Sequence, residues 1–230
     1  MKNFLRSSVT AAAFMFVMFA VTEIRAQGNI PNEVLKRMEA HRLSLTSLQA
    51  NVMMAKFNAQ LGETDVKEGT MIYLPVKGRD ALVRIDWVKP LQETLSVVNK
   101  QYVLYRPRLK QAFVGKADQS NKNVKSNNAL AFMNMSSEQL KANYNRQYLG
   151  QENVAGGTPT WRLKLMPKAA SNYQYAEIWV DGNGMPIQAK VVETNNDTTT
   201  VLLSNLQKNV ALKADIFKVN LPKDTKIIKS

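Results

Sequence analysis

Apolar and polar side chains alternate in short runs along most of this chain, and the clearest run organises the rest. Across residues 79–88, Ala81, Val83, Ile85 and Trp87 fall on one phase and Leu82, Arg84, Asp86 and Val88 on the other. That period of two predicts a strand with one buried face. Pro90 ends it, because proline has no N–H for a ladder. Residues 93–98 and 101–106 predict two more strands around a tight turn at Asn99-Lys100, and residues 111–114 a short fourth. The block 79–113 is therefore an antiparallel meander.

The same signals continue on both sides. Residues 31–45 read as a helix, with Pro31 in its first turn and Val34, Leu35, Met38 and Leu45 at helical spacing. Strands are expected at 48–57, 66–74, 144–153, 160–166, 173–180, 187–194 and 198–206. Asp181-Gly182-Asn183-Gly184 and Asn195-Asn196-Asp197 supply hairpin turns. The polar stretch 116–128 reads as a loop, followed by the start of a short helix at 128–133. Gln139 then stands three residues after Ser136, the spacing of a capping box, and predicts a helix to about 144. Residues 214–217 read as a helical turn, and a basic tail follows Leu221-Pro222. The sum is mainly β with an α lid. One curved antiparallel sheet of about ten or eleven strands forms an incomplete, half-open β-barrel covered by short helices.

The N-terminus changes the picture of where this domain works. Lys2 and Arg6 precede an apolar run of 13 residues, 9–21, too short for a comfortable membrane span, and Ala26 suits a cleavage site. Residues 1–26 are expected to be a signal peptide and 27–230 one periplasmic domain. The chain carries 31 basic and 18 acidic residues, a net charge of +13; without residues 1–26 it is +11. Such a charge favours acidic partners, and export leaves nucleic acid out of the expected ones. The chain has no cysteine, so it has neither disulfide framework nor thiol catalyst. His41 is its only histidine and falls on the polar side of the first helix, which argues against His-based catalysis and zinc. Carboxylates such as Asp86, Glu93, Glu177 and Glu193 are scattered. Glu177 shares a strand phase with Tyr173, Tyr175 and Trp179, either as a polar handle or facing solvent. Asp181-Gly182-Asn183-Gly184 lacks the later glutamate of a calcium loop, since position 192 is Val192. No enzyme activity, metal or cofactor is expected. Methionines, including Met53, Met54, Met71, Met133 and Met135, suit either a core or a pliable apolar pocket.

The order of these features resembles the LolA-type periplasmic lipoprotein carriers. It rests on the signal segment, the opening helix and the block Lys77-Gly78-Arg79-Asp80-Ala81-Leu82-Val83-Arg84-Ile85 ending at Pro90. Leu104-Tyr105-Arg106-Pro107 with Gln111, the hairpin at 179–187, and Phe217 with Pro222 complete it. Asp80 and Ile85 depart from the residues usual in that family. The resemblance implies an apolar cavity between sheet and lid that holds acyl chains of lipoproteins, shuttled from the inner to the outer membrane. It implies a monomer, with an inner-membrane release complex and an outer-membrane acceptor as partners. It implies that Arg79 and Arg84 latch sheet to lid. Val83, Ile85, Trp87, Trp161, Leu163 and Leu165 are then expected on the cavity face, and Phe132, Met133 and Met135 on the lid. Arg106, Arg108 and Lys110 lie in a basic run that reads as a docking face or as a charge-protected strand edge. The alternative function is a lipid-binding or signal-sensing module of the same fold with a membrane protein partner.

Overall fold

The computed structural model describes residues 29–77, 80–117, 128–154 and 156–229. One twelve-stranded sheet makes up most of it. Its strands are β1 (Leu48–Asn58), β2 (Glu63–Leu74), β3 (Leu82–Lys89), β4 (Glu93–Val98), β5 (Gln101–Arg106) and β6 (Gln111–Lys116) in the first half. The second half holds β7 (Tyr144–Val154), β8 (Thr158–Pro167), β9 (Tyr173–Asp181), β10 (Pro186–Glu193), β11 (Thr198–Lys208) and β12 (Lys226–Lys229). The strand order is β12-β6-β5-β4-β3-β2-β1-β11-β10-β9-β8-β7, so two meanders meet where β11 returns beside β1. The sheet does not close, because β7 and β12 are its two free edges.

Turn chemistry sets the register. Asn99 and Lys100 both take positive φ, 49° and 61°, as a two-residue hairpin requires, without glycine. Gly69 sits at the register shift between β2 and β3, where an added Cβ would overlap the Asp86 carbonyl. Glycine alone lets the strands approach there. The C-terminal residues differ from the tail expected of them. Lys226 to Lys229 form β12, which pairs parallel with β6 and breaks the otherwise antiparallel order.

Among the described residues, three helices cover one face. They are α1 (Ile30–Ser44), α2 (Asn128–Asn134) and α3 (Ser137–Asn143). The α3 cap is the expected box: Gln139 N–H donates to Ser136 Oγ at 3.1 Å, and Ser136 N–H to Gln139 Oε1 at 2.9 Å. Leu35 and Leu140 are fully buried beneath this layer. We call the covered face concave and the other convex. Register assigns side chains to each. Val52 and Met54 pair with Leu203 and Val201, Val201 with Ala189, Ala189 with Ile178, and Ile178 with Leu163, and all are buried on the concave face. The convex face carries the alternate phase, including Arg84, Asp86 and Ser96. A 3-10 turn at Ala214–Phe217 packs on it over β3 and β4.

Candidate functional site

The site is built where α1 and α2 meet the ends of β1, β2 and β10. A cavity of about 60 Å³ lies there. Met38, Met71, Met133, Met135 and Met185 bring five thioethers to it, beside Leu45, Leu130 and Leu203. These residues come from two helices and three regions of the sheet, so only the folded chain assembles them. Thioether side chains adapt their shape at little cost, which suits an apolar guest of variable form.

Its polar wall consists of His41, Arg42 and Tyr73. His41 therefore turns toward the cavity rather than to the polar side of α1, and its Nε2 is buried without a hydrogen-bond partner. Burial holds its pKa below the usual 6.5, Lys208 lowers it further and Asp181 opposes the shift. The Tyr73 hydroxyl is pushed up by burial, so it stays protonated. Arg42 is held by Glu39 through bonds of 2.5 and 3.2 Å. Glu39 also accepts the Ser137 N–H at 3.0 Å, at the start of α3. Glu39 is thus the side chain that ties α1 to the inserted helices. The i,i+3 spacing of Glu39 and Arg42 was its only trace in the sequence.

Of the two residues expected at the latch, the structure describes one. Arg79 falls outside the described residues. Arg84 points to the convex face, away from the helices, because it alternates with Val83 and Ile85. Its guanidinium grips Asp86 at 2.7 and 3.0 Å and donates to the carbonyls of Ile216 at 2.8 Å and Lys218 at 3.4 Å. In this structure it clamps the C-terminal turn to the sheet.

Val83, Ile85, Trp87, Trp161, Leu163 and Leu165 all share the concave face by register. Ile85, Leu163 and Leu165 are fully buried there. None of the six lines the cavity, which sits nearer the helices. Trp161 instead stacks under Arg37 of α1, 4.9 Å from the guanidinium. Of the lid residues, Met133 and Met135 line the cavity, whereas Phe132 is buried edge-on against Tyr144 and Tyr173. Arg106 bonds Glu93 at 2.8 Å and Lys110 pairs with Asp224 at 2.7 Å, while Arg108 is exposed. Glu177 is buried on the convex face and receives Arg162 at 2.8 Å, so it is neither a solvent-facing group nor part of the cavity. Asp181 caps its own turn, accepting the N–H groups of Asn183 and Met185.

α1 is seated against the turn that leads into β10. Gly184, at φ +83°, lies so close to Arg37 that an added Cβ would overlap the Arg37 carbonyl. Arg37 also reaches the Gly182 carbonyl at 3.4 Å. The inserted pair meets α1 through the Glu39 contact, and α2 packs on the sheet chiefly over β10.

Comparison with known proteins agrees with this architecture. A sequence comparison with curated proteins finds no match. An uncharacterized conserved protein from Thermus thermophilus superposes with a TM-score of 0.56 at 16% identity, over 87% of this chain and 99% of that one. A chain of the Pseudomonas aeruginosa MucA/MucB complex superposes with a TM-score of 0.52 at 14% identity, over 85% of this chain and 62% of that one. At such identities the likeness is one of fold. The family model for "Outer membrane lipoprotein carrier protein LolA" matches residues 46–220, from the approach to β1 through the clamped C-terminal turn, and so this chain belongs to the LolA family.

Proposed function

We propose that this protein is a non-enzymatic periplasmic carrier that takes the acyl chains of lipoproteins or lipids into the cavity under α2 and passes them from the inner to the outer membrane. The observation that carries the reading is the methionine-lined cavity, enclosed by helices, in a member of this family. Its volume, about 60 Å³, is under half of the roughly 150 Å³ that admits one benzene. An acyl chain therefore enters only if α2 and α3 lift from the sheet. In this closed form the five thioethers crowd the space that a guest would take. Burying each methylene is worth about 0.8 kcal/mol, which supplies the work of opening.

Binding of a palmitoylated peptide, followed by displacement of a fluorescent fatty acid, tests this directly. The acylated peptide is expected to bind and its unacylated twin to leave the signal unchanged. Converting Met133→Gln with Met135→Gln keeps side-chain length but makes the wall polar, and is expected to weaken binding at least tenfold. No binding of any acylated probe by the wild-type chain sinks the reading.

The second reading is a sensor of the same fold that holds a lipid and signals through a membrane protein. The likeness to a chain of a MucA/MucB complex favours it. Transfer of bound lipoprotein to acceptor membranes separates the two, since a sensor binds but does not deliver.

A further inference from the structure

We propose that the rim of the sheet opposite the cavity is a peripheral docking edge for an anionic bilayer surface. Three successive hairpins end on this rim, and each carries one exposed leucine at its turn. Leu61, between β1 and β2, is 67% exposed; Leu91, between β3 and β4, 52%; Leu109, between β5 and β6, 56%. A single exposed leucine needs no explanation. One on each of three neighbouring turns, all at the same end, is a pattern. Strands lie about 4.8 Å apart, so the tips stand about 10 Å from one another and span about 20 Å. They project singly and share no groove. A deformable lipid interface accepts separate tips, whereas a protein partner would need a matching pocket for each.

Charge selects the kind of bilayer. The third hairpin places Arg106, Arg108 and Lys110 around Leu109. The Lys226 N–H donates to the Lys110 carbonyl, which brings exposed Lys223 and Lys226 beside them. The acids on this rim are Asp224, paired with Lys110; Glu93, largely buried and shared by Arg106 and Lys67; Glu68, paired with Lys89 beside the second hairpin; and Asp197, which accepts the Ala59 N–H beside the first. Glu63 and Asp65 stand below Leu61 on β2, so the positive end of the edge is at β5, β6 and β12. Basic groups beside interfacial leucines are what anionic lipid attracts. The edge is independent of the acyl-binding cavity, which lies at the other end of β1.

The chain has no cysteine, so one can be introduced at will. Leu61→Cys, Leu91→Cys and Leu109→Cys, each labelled with an environment-sensitive dye, would be mixed as full chains with phosphatidylglycerol-rich vesicles and with phosphatidylcholine vesicles. Leu43→Cys is the control, being 70% exposed on α1 at the opposite end. The expected result is a blue shift at the three rim positions with anionic vesicles, none at position 43, and loss of the signal at high salt. Leu91→Ser with Leu109→Ser is expected to weaken vesicle co-sedimentation at least tenfold, and Arg108→Gln to weaken it on anionic vesicles alone. A shift at position 43 without one at the rim would trace contact to another part of the chain, such as residues 9–21, and overturn the proposal. Silence at all four positions overturns it too and leaves the rim to a protein partner.

Discussion

Two single residues at the site each make a measurable claim. Gly184 takes φ +83° with its Cα against the α1 backbone. Gly184→Ala adds both backbone strain and an overlap with Arg37, and is expected to cost about 3 kcal/mol. For a domain of this size that lowers the melting temperature by about 6–12 °C, read by circular dichroism. His41 makes a claim about pH. Burial, with Lys208, holds its folded pKa below 6.5 against the pull of Asp181, and Arg42 is the other charged group on the cavity wall. As pH falls the unfolded chain takes up the proton first. The stability tied to neutral His41 is therefore full above about 6.5 and is lost as pH drops toward the depressed folded value. Urea unfolding from pH 7.5 to 5.5 is expected to show this slope, and His41→Gln to flatten it. Glu39 titrates in a separate window. The Arg42 hydrogen bond lowers its pKa from 4.5, and its contribution is lost only below that value.

At the scale of elements, the C-terminal segment is a strap whose buckle is on the convex face. Phe217 is 2% exposed, Ser96 Oγ donates to its carbonyl at 2.5 Å, and Arg84 holds the carbonyls on either side. Arg84→Met keeps the stem and removes the donors. Hydrogen exchange is expected to speed at least tenfold at 216–218 and along β12, with α2 and α3 unchanged. Faster exchange in α2 and α3 instead would return Arg84 to the latch role. The contrast also shows what the sequence made legible. Alternation in one strand is local, so β4 and β5 were readable to the residue, and Ser136 with Gln139 announced a cap. The same alternation separated Arg84 from Val83 and Ile85, so its face was readable too, although family resemblance pointed to the lid. β12 was not readable. Lys226-Ile227-Ile228-Lys229 is four residues long, without a clear phase, and gains its partner only when the strap returns to β6. The cavity was least readable of all. Met38, Met71, Met133 and Met185 are distant along the chain, and no local period marks residues that meet only through packing.

For the whole molecule, an open sheet with three helices on one face lets the proposed loading be separated from stability. The buried concave face, with Ile85, Leu163, Leu165 and Ile178 fully covered, holds the fold together whether or not the cavity is filled. The methionine wall can then trade contacts with itself for contacts with a guest. If opening is a fixed cost and each methylene adds its own transfer free energy, affinity must climb with chain length. About 0.8 kcal/mol per methylene corresponds to roughly a fourfold gain per carbon. Calorimetry with peptides acylated by chains of 8 to 16 carbons is expected to show that slope, with no binding at the short end, where the gain does not meet the cost of lifting α2 and α3. Weakening the tie should shift the whole series without changing its slope: Glu39→Gln removes the charge that holds Ser137 and Arg42, lowers the opening cost and strengthens every ligand by a similar factor. An affinity that is flat with chain length would mean that the lid region binds a headgroup or peptide rather than an acyl chain. A Glu39→Gln effect confined to the longest chains would mean that opening is graded with the guest, not a single step.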